Sequence, residues 1–220
     1  MNPTPWMPTA GWMTFAEVIV HEIISDFPEL RRSPTEVAHI TCAAANMMGV
    51  AMHAATGKEK PIFVEIGTQI GISTRALLLV AERMDGHVTS MDIDPTCGEG
   101  KLRKWVEDRG LGDRWTFLAG PSQAQAPIPN ADFLLVDGNH DYDAVCEDMI
   151  VHGSAVKNGA VILLDDYHVQ FPGKLRWVQE RWKELQPLTI GPWALLIKRP
   201  GDEAHYQKKF EGDSWFWSLE

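Results

Sequence analysis

Cysteine and positive charge are scarce in this sequence, and no long apolar run interrupts it. Cys42, Cys97 and Cys146 are its only cysteines, scattered with no C-x-x-C pair. That usage argues against a disulfide framework or a zinc site and suits a reducing cytoplasm. Lys and Arg number 20 against 30 Asp and Glu, a formal net charge of −10. Such a balance leaves no electrostatic footprint for nucleic acid and no polybasic membrane contact. The opening residues, MNPTPWMPTAGWM, lack a basic region and a long apolar stretch. Neither a signal peptide nor a transmembrane span is expected. There is no internal repeat and no low-complexity segment. What is present, 220 residues of which 45% are hydrophobic, suffices for one α/β domain with a short appendage.

The stretch Pro61 to Thr74, PIFVEIGTQIGIST, stands out. Ile62, Phe63, Val64 and Ile66 form an apolar run, a glycine turn follows, and a helix-like segment covers Arg75–Arg83. Strand, tight turn and helix open on a ligand of phosphate or nucleoside size. Gly67 and Gly71 remove β-carbons where backbone and ligand come close. Ser73 and Thr74 fall where a helix N-cap belongs. Glu65 is a carboxylate within an otherwise buried strand, so it needs a partner. The spacing is G-x-x-x-G, with Gln69 where a dinucleotide binder has its second glycine, and this points to a ligand without a diphosphate.

Residues 1–13, rich in Pro, Trp and Met, are expected to form an irregular arm packed through Trp6 and Trp12. Phe15 to Phe27 has helical spacing, ended by Pro28. Ser33-Pro34-Thr35-Glu36 reads as the start of a helix running to about Ala55, whose methionines fill the core. Further strands are expected at His87–Met91, Trp115–Leu118, Ala131–Val136 and Ala160–Leu164. Helices are expected at Lys101–Asp108, Tyr142–Val156 with Gly159 as its cap, and Lys174–Leu185. Leu188–Ile190 and Trp193–Ile197 are joined too tightly for a helical crossover and must be antiparallel. The pattern predicts a doubly wound, Rossmann-like, mostly parallel sheet of seven strands with a final antiparallel edge strand and helices on both faces. It divides into an N-terminal helical appendage at 1–56 (a lid or an oligomer contact), a ligand-binding domain at 57–200, and an aromatic tail at 201–220. Trp215, Phe216 and Trp217 of that tail are expected to cover a hydrophobic surface.

Ligands of open parallel sheets bind outside the carboxyl ends of the strands. Here those ends carry Glu65 and Gly67, then Asp92, then Gly120 to Ser122, then Asp137, then Asp165-Asp166. Agreement between separate segments is stronger than the glycine turn alone. Asp92 lies about 25 positions beyond Gly67, near the spacing of a ribose-binding acid. Asp94 is a weaker candidate for that role. Pro121-Ser122-Gln123 lies where it could reach an adenine edge. Three carboxylates converging at one edge repel, and a hard cation such as Mg²⁺ would relieve them and acidify an acceptor hydroxyl. Otherwise one acid pairs with a lysine or arginine. His140, close after the fourth strand, is the first candidate base; His168 is the second, or a metal ligand.

VEIGTQIGIST, VTSMDIDP, FLLVDGNHDYDAV and GAVILLDDYH together resemble the class I S-adenosylmethionine-dependent methyltransferases. The likeness is to the small-molecule O-methyltransferase group with a V-D-G-x-H-x-Y motif, near macrolide and sugar O-methyltransferases and cephalosporin-hydroxylase-like proteins. It covers about Pro61 to Lys198. The resemblance implies a cofactor turn of Glu65, Gly67, Thr68, Gly71 and Ser73, Asp92 on the ribose hydroxyls and Ser122 near the adenine. Asp137 would lie beneath the methionine moiety or at the catalytic centre. Metal-dependent members imply Asp137, Asp165 and Asp166 as ligands of Mg²⁺ or another divalent cation, with Asp166 where asparagine is usual. The expected partner is a small hydroxylated substrate, with neither nucleic acid nor membrane, in a cytoplasmic protein that can form a homo-oligomer. Two alternatives stand beside it: a nicotinamide-dependent oxidoreductase, and a non-catalytic binding protein on the same fold.

Overall fold

Five strands lie side by side in parallel, and their order sets the place of the site. The computed structural model describes residues 10–26 and 33–207. Its strands are β1 (Ile62–Ile66), β2 (His87–Asp92), β3 (Trp115–Ala119), β4 (Phe133–Val136), β5 (Val161–Leu164), β6 (Leu188–Ile190) and β7 (Trp193–Ile197). They form one sheet in the order β3-β2-β1-β4-β5-β7-β6. β1 pairs in parallel with both β2 and β4, so the winding direction reverses between β1 and β4. That reversal opens the crevice. β7 is antiparallel to β5 and to β6. The antiparallel strand expected at the edge thus lies one place in, and β6 is outermost.

Alternation along each strand builds two cores. Phe63, Phe133, Leu135, Val161 and Leu163 face one way, into a cluster with Leu77 and Val80. Val64, Leu134, Val136, Ile162 and Leu164 face the other, with Val145, Met149 and Trp177. Strands covered on both faces need continuous apolar sequence, which is what these segments have.

The helices are α1 (Ala10–Asp26), α2 (Pro34–Ala55), α3 (Ile72–Met84), α4 (Gly100–Asp108), α5 (Tyr142–Asp148), α6 (Pro172–Glu180), α7 (Trp182–Leu185) and α8 (Glu203–Tyr206). Ser33 opens α2 with a capping box: its Oγ accepts from the Glu36 N–H at 3.3 Å, and the Glu36 carboxylate accepts from the Ser33 N–H at 2.8 Å. Ile19 and Ile23 of α1 and Met47 and Met48 of α2 share the first core with β1 and α3, so the methionines fill space as expected. α1 is also held by charge. Arg75 of α3 is wholly buried and pairs with Asp26 at 2.7 Å, while Trp105 Nε1 of α4 and Arg109, just past its end, donate to Glu22 at 2.7 and 2.6 Å. Among the described residues no helix is long and apolar enough to cross a membrane.

Several boundaries differ from expectation. α1 begins at Ala10, inside the segment expected to be irregular. Trp6, Trp215, Phe216 and Trp217 lie outside the described residues, and so does the Trp12 side chain. The helix expected across Tyr142–Val156 is α5 and then a wider π turn, Met149–Gly153, in which the Ser154 N–H reaches back to the Met149 carbonyl at 3.0 Å. Lys174–Leu185 is divided into α6 and α7 at Arg181. The Arg181 guanidinium donates to the Trp177 carbonyl at 3.1 Å, so its own N–H shifts to Val178. Gly159 caps no helix; its N–H donates to the Lys198 carbonyl at 2.8 Å as the chain enters β5.

Candidate cofactor and transfer site

The turn after β1 is shaped by its neighbours. Gly67 has φ +94°, its N–H donates to the Met91 carbonyl at 2.8 Å, and a β-carbon there would lie 2.2 Å from the Asp137 carbonyl oxygen. Gly71 has φ +80°, and its β-carbon would lie 2.8 Å from Leu102 of α4. Close approach is indeed the reason for both glycines, but the thing approached is protein, not the expected ligand. Gly71 is itself the N-cap of α3, without a side-chain cap. Ser73 and Thr74, expected at the cap, lie within the first turn. Thr74 Oγ1 instead donates to Glu65 Oε2 at 2.6 Å. Glu65 is wholly buried, and burial pushes its carboxyl up to about 7. It braces the turn from below and is not on the wall of the cleft.

Asp92 ends β2 on that wall. Its Oδ2 accepts the N–H groups of Thr68 and Gln69, each at 2.9 Å, and its Oδ1 accepts that of Asp94 at 2.9 Å. The Cys97 thiol is also hydrogen-bonded to this carboxylate, so Asp92, expected on the ribose hydroxyls, is largely committed to protein donors. Asp94 is spent locally: its Oδ1 accepts from Thr96 N–H and Oγ1, which holds the carboxyl below its usual range. After β3, Ser122 Oγ and Gln123 Nε2 both donate to Asp148 Oδ1, at 2.6 and 2.7 Å. Asp148 escaped the sequence reading. The available signal is a carboxylate on the buried face of α5, beside Val145 and Met149. Burial raises its carboxyl, and its Oδ2 has no partner.

The acids after β4 and β5 do come together. Asp137 and Asp165 are both pushed up by burial, and Asp137 further by the Asp165 charge. Asp165 Oδ1 accepts from the Asp166 N–H at 2.8 Å and Trp193 Nε1 at 2.6 Å. Asp166 has φ +56°, a conformation that Asp and Asn tolerate better than most residues. Its Oδ2 lies 3.6 Å from His140 Nε2. Lys174, also unforeseen, is wholly buried in the first turn of α6, with Nζ 3.6 Å from Asp137 Oδ1. The expected metal set of Asp137, Asp165 and Asp166 therefore shares one rim. Among the described residues, though, no three His, Cys, Asp or Glu side chains are grouped to hold a metal ion.

His140 rests on Phe171, ring centroids 4.3 Å apart. Burial, and then the Lys174 charge, push its imidazole below the usual value. A neutral imidazole is the form that can accept a proton. His168 is exposed and off the cleft wall; its Nδ1 accepts the Gln170 N–H at 3.3 Å in a local turn.

Two cavities meet at these acids. A cleft of about 930 Å³ runs from Asp92 past Ser122 and Gln123 to Asp137, His140 and Asp166. A smaller one, about 190 Å³, lies between α2 and the turn, lined by Ile40, Ala44, Met47, Thr68, Ser73 and Trp193 among others. Both include Gly67, Gln69, Asp137 and Asp165 in their walls.

A sheet wound this way, with an antiparallel β7 set between β5 and β6 and a cleft at the β1/β4 reversal, is the methyltransferase form of the Rossmann-like fold. Residues 64–167 match the family model described as a methyltransferase domain. No curated protein matches the chain. SAH-bound methyltransferase PaMTH1 of Podospora anserina superposes with TM-score 0.59 at 15% identity, over 84% of this chain and 87% of its own. CalS11, a TDP-rhamnose 3'-O-methyltransferase of calicheamicin biosynthesis, gives 0.57 at 14%, over 87% and 94%. MycE of the mycinamycin pathway, in complex with Mg and SAH, gives 0.52 at 14%, over 81% and 62%.

Proposed function

We propose that this chain moves the methyl group of S-adenosylmethionine to a hydroxyl of a small molecule, such as a sugar, a polyketide or a phenol, with His140 as general base. The observation that carries the reading is His140 itself. Its imidazole, biased toward the neutral form, lines the same cleft as Asp92 and Ser122. The named function of CalS11, a 3'-O-methyltransferase, supports a hydroxyl as acceptor.

The residues fit the cofactor. Asp92 lines the cleft at the position of a ribose-binding acid, and Ser122-Gln123 is held in place by Asp148. A methionine carboxylate suits the N-terminus of α3 at Ser73, where free N–H groups and the helix dipole favour negative charge. Asp137 and Asp165, common to both cavities, favour positive charge at the junction. Bound there, S-adenosylmethionine supplies an electrophilic methyl carbon on a sulfonium. The chain supplies alignment and a place for the acceptor's proton, which His140 takes. α2 roofs the smaller cavity with Ile40, Ala44 and Met47, acting as a fixed lid over the methionine end.

Calorimetry with S-adenosylmethionine and with NAD tests the cofactor, and transfer of a labelled methyl to a panel of hydroxylated compounds tests the reaction. Binding of the first and labelling of an O-methyl product are expected. Binding of NAD alone would overturn the reading in favour of an oxidoreductase.

A further inference from the structure

We propose that the Lys174 ammonium is the resident cation of the strand-end carboxylates, standing in for a divalent ion, so that this site works without a bound metal. The inference rests on reading the rim as the transfer site, but its test does not.

The Lys174 side chain has no solvent exposure, and its Nζ makes no hydrogen bond. A buried ammonium in that condition is costly unless opposite charge surrounds it. Burial holds the amine below its usual range, and the charges of Asp137, the nearest at 3.6 Å, and of Asp165 and Asp166 work against that and favour the ammonium. The lysine is therefore aimed into the acid cluster, and the cluster is what makes its burial tolerable.

The ammonium cannot easily be moved aside. Lys174 follows Gly173, whose β-carbon would lie 2.1 Å from the His140 carbonyl oxygen and 2.4 Å from the Tyr142 nitrogen. α6 is thus pressed directly onto the loop that carries His140. One turn on, the Arg176 guanidinium covers the Tyr142 ring at 4.1 Å, and Tyr142 donates to Glu180 at 2.5 Å. A divalent ion beside Asp137 would sit close to a fixed positive charge and be repelled by it. It would also need several converging oxygens at 2.0–2.6 Å. With the ammonium in place they do not converge: Asp166 is turned toward His140, and Asp165 has only Oδ2 to offer beside the Oδ1 that accepts two N–H groups. This differs from what the Mg complex of MycE reports for that protein.

The test is a titration of the full chain with Mn²⁺, read by electron paramagnetic resonance of the free ion. The wild-type protein is expected to leave the free signal undiminished at equimolar, sub-millimolar concentration. Lys174→Met, folded by circular dichroism, is expected to take up one equivalent, and Lys174→Met/Asp165→Asn to lose it again. Uptake of one equivalent by the wild type, abolished in Asp165→Asn, would overturn the proposal; that arm needs no lysine variant to fold. A folded Lys174→Met protein that takes up nothing also overturns it, because the lysine would then not be what stands in the ion's place. Should S-adenosylmethionine bind while the wild type also binds Mn²⁺, the methyltransferase reading survives and this inference fails.

Discussion

A β-carbon on Gly67 would stand 2.2 Å from the carbonyl oxygen of Asp137. The turn after β1 and the end of β4 are therefore in backbone contact across the switch point, and φ at Gly67 is +94°. Gly67→Ala must strain the turn and push the two strand ends apart. A left-handed alanine and an overpacked contact together cost about 2–4 kcal/mol. Urea unfolding should show a lowered midpoint with unchanged slope, and weaker S-adenosylmethionine binding should accompany it. Loss of binding with undiminished stability would return Gly67 to the ligand-facing role that the sequence suggested.

Much of the fold was legible because each buried parallel strand is a short apolar run closed by an acid or a glycine. Phe133-Leu134-Leu135-Val136 followed by Asp137 has few other readings. What escaped notice depends on contacts between distant residues. Lys174 looked like any charged helix residue until Gly173 placed its turn against the His140 loop. Asp148 looked like a helix terminus until Ser122 and Gln123 were seen to share its Oδ1. Ser73-Thr74 carried a sound capping signal, yet Glu65 competed for the Thr74 hydroxyl from inside the sheet. The positions of the rim acids were readable; which carboxylate pairs with what was not, because pairing is set by the approach of α5 and α6.

Glu65 makes stability depend on pH in a direction unusual for a carboxylate. Burial raises it from 4.5 to about 7. Below the lower value both folded and unfolded chains hold the proton. Between the two, the unfolded chain ionises first, so stability falls as pH rises, and the loss levels off above about 7. The full shift corresponds to about 3 kcal/mol. Glu65→Gln cannot ionise and can still accept from Thr74 Oγ1. Relative to wild type it should gain stability by up to that amount between pH 5 and pH 8 in paired urea titrations. A difference between the two proteins that does not change with pH would mean that Glu65 is not protonated in the fold.

Asp92 ties the turn to β2 and lines the cleft. Asp92→Ala should leave the protein folded but less stable: water can reach the freed N–H groups of Gln69 and Asp94, while the freed N–H of buried Thr68 costs about 1–3 kcal/mol. Affinity for S-adenosylmethionine should fall at least about tenfold, or ~1.4 kcal/mol, by calorimetry. An unchanged affinity would reduce Asp92 to a brace for the turn.

His140 should set the acidic limb of the rate profile. Burial and the Lys174 charge hold its imidazole below the usual 6.5. A base must be deprotonated to act, so kcat/KM should rise with pH through a value under 6.5 and be flat near neutrality. His140→Ala should lose that limb and about 10²–10⁴ in rate, the range for removal of a general base. Its S-adenosylmethionine affinity should hold, because the proposed cofactor contacts are with Asp92, Ser122 and the α3 terminus. Added imidazole should restore part of the rate by supplying the missing base from solution. An alanine variant that keeps the acidic limb would place the proton elsewhere. Asp166, 3.6 Å from His140 Nε2, would then be the next carboxylate to replace, since it faces the same cleft.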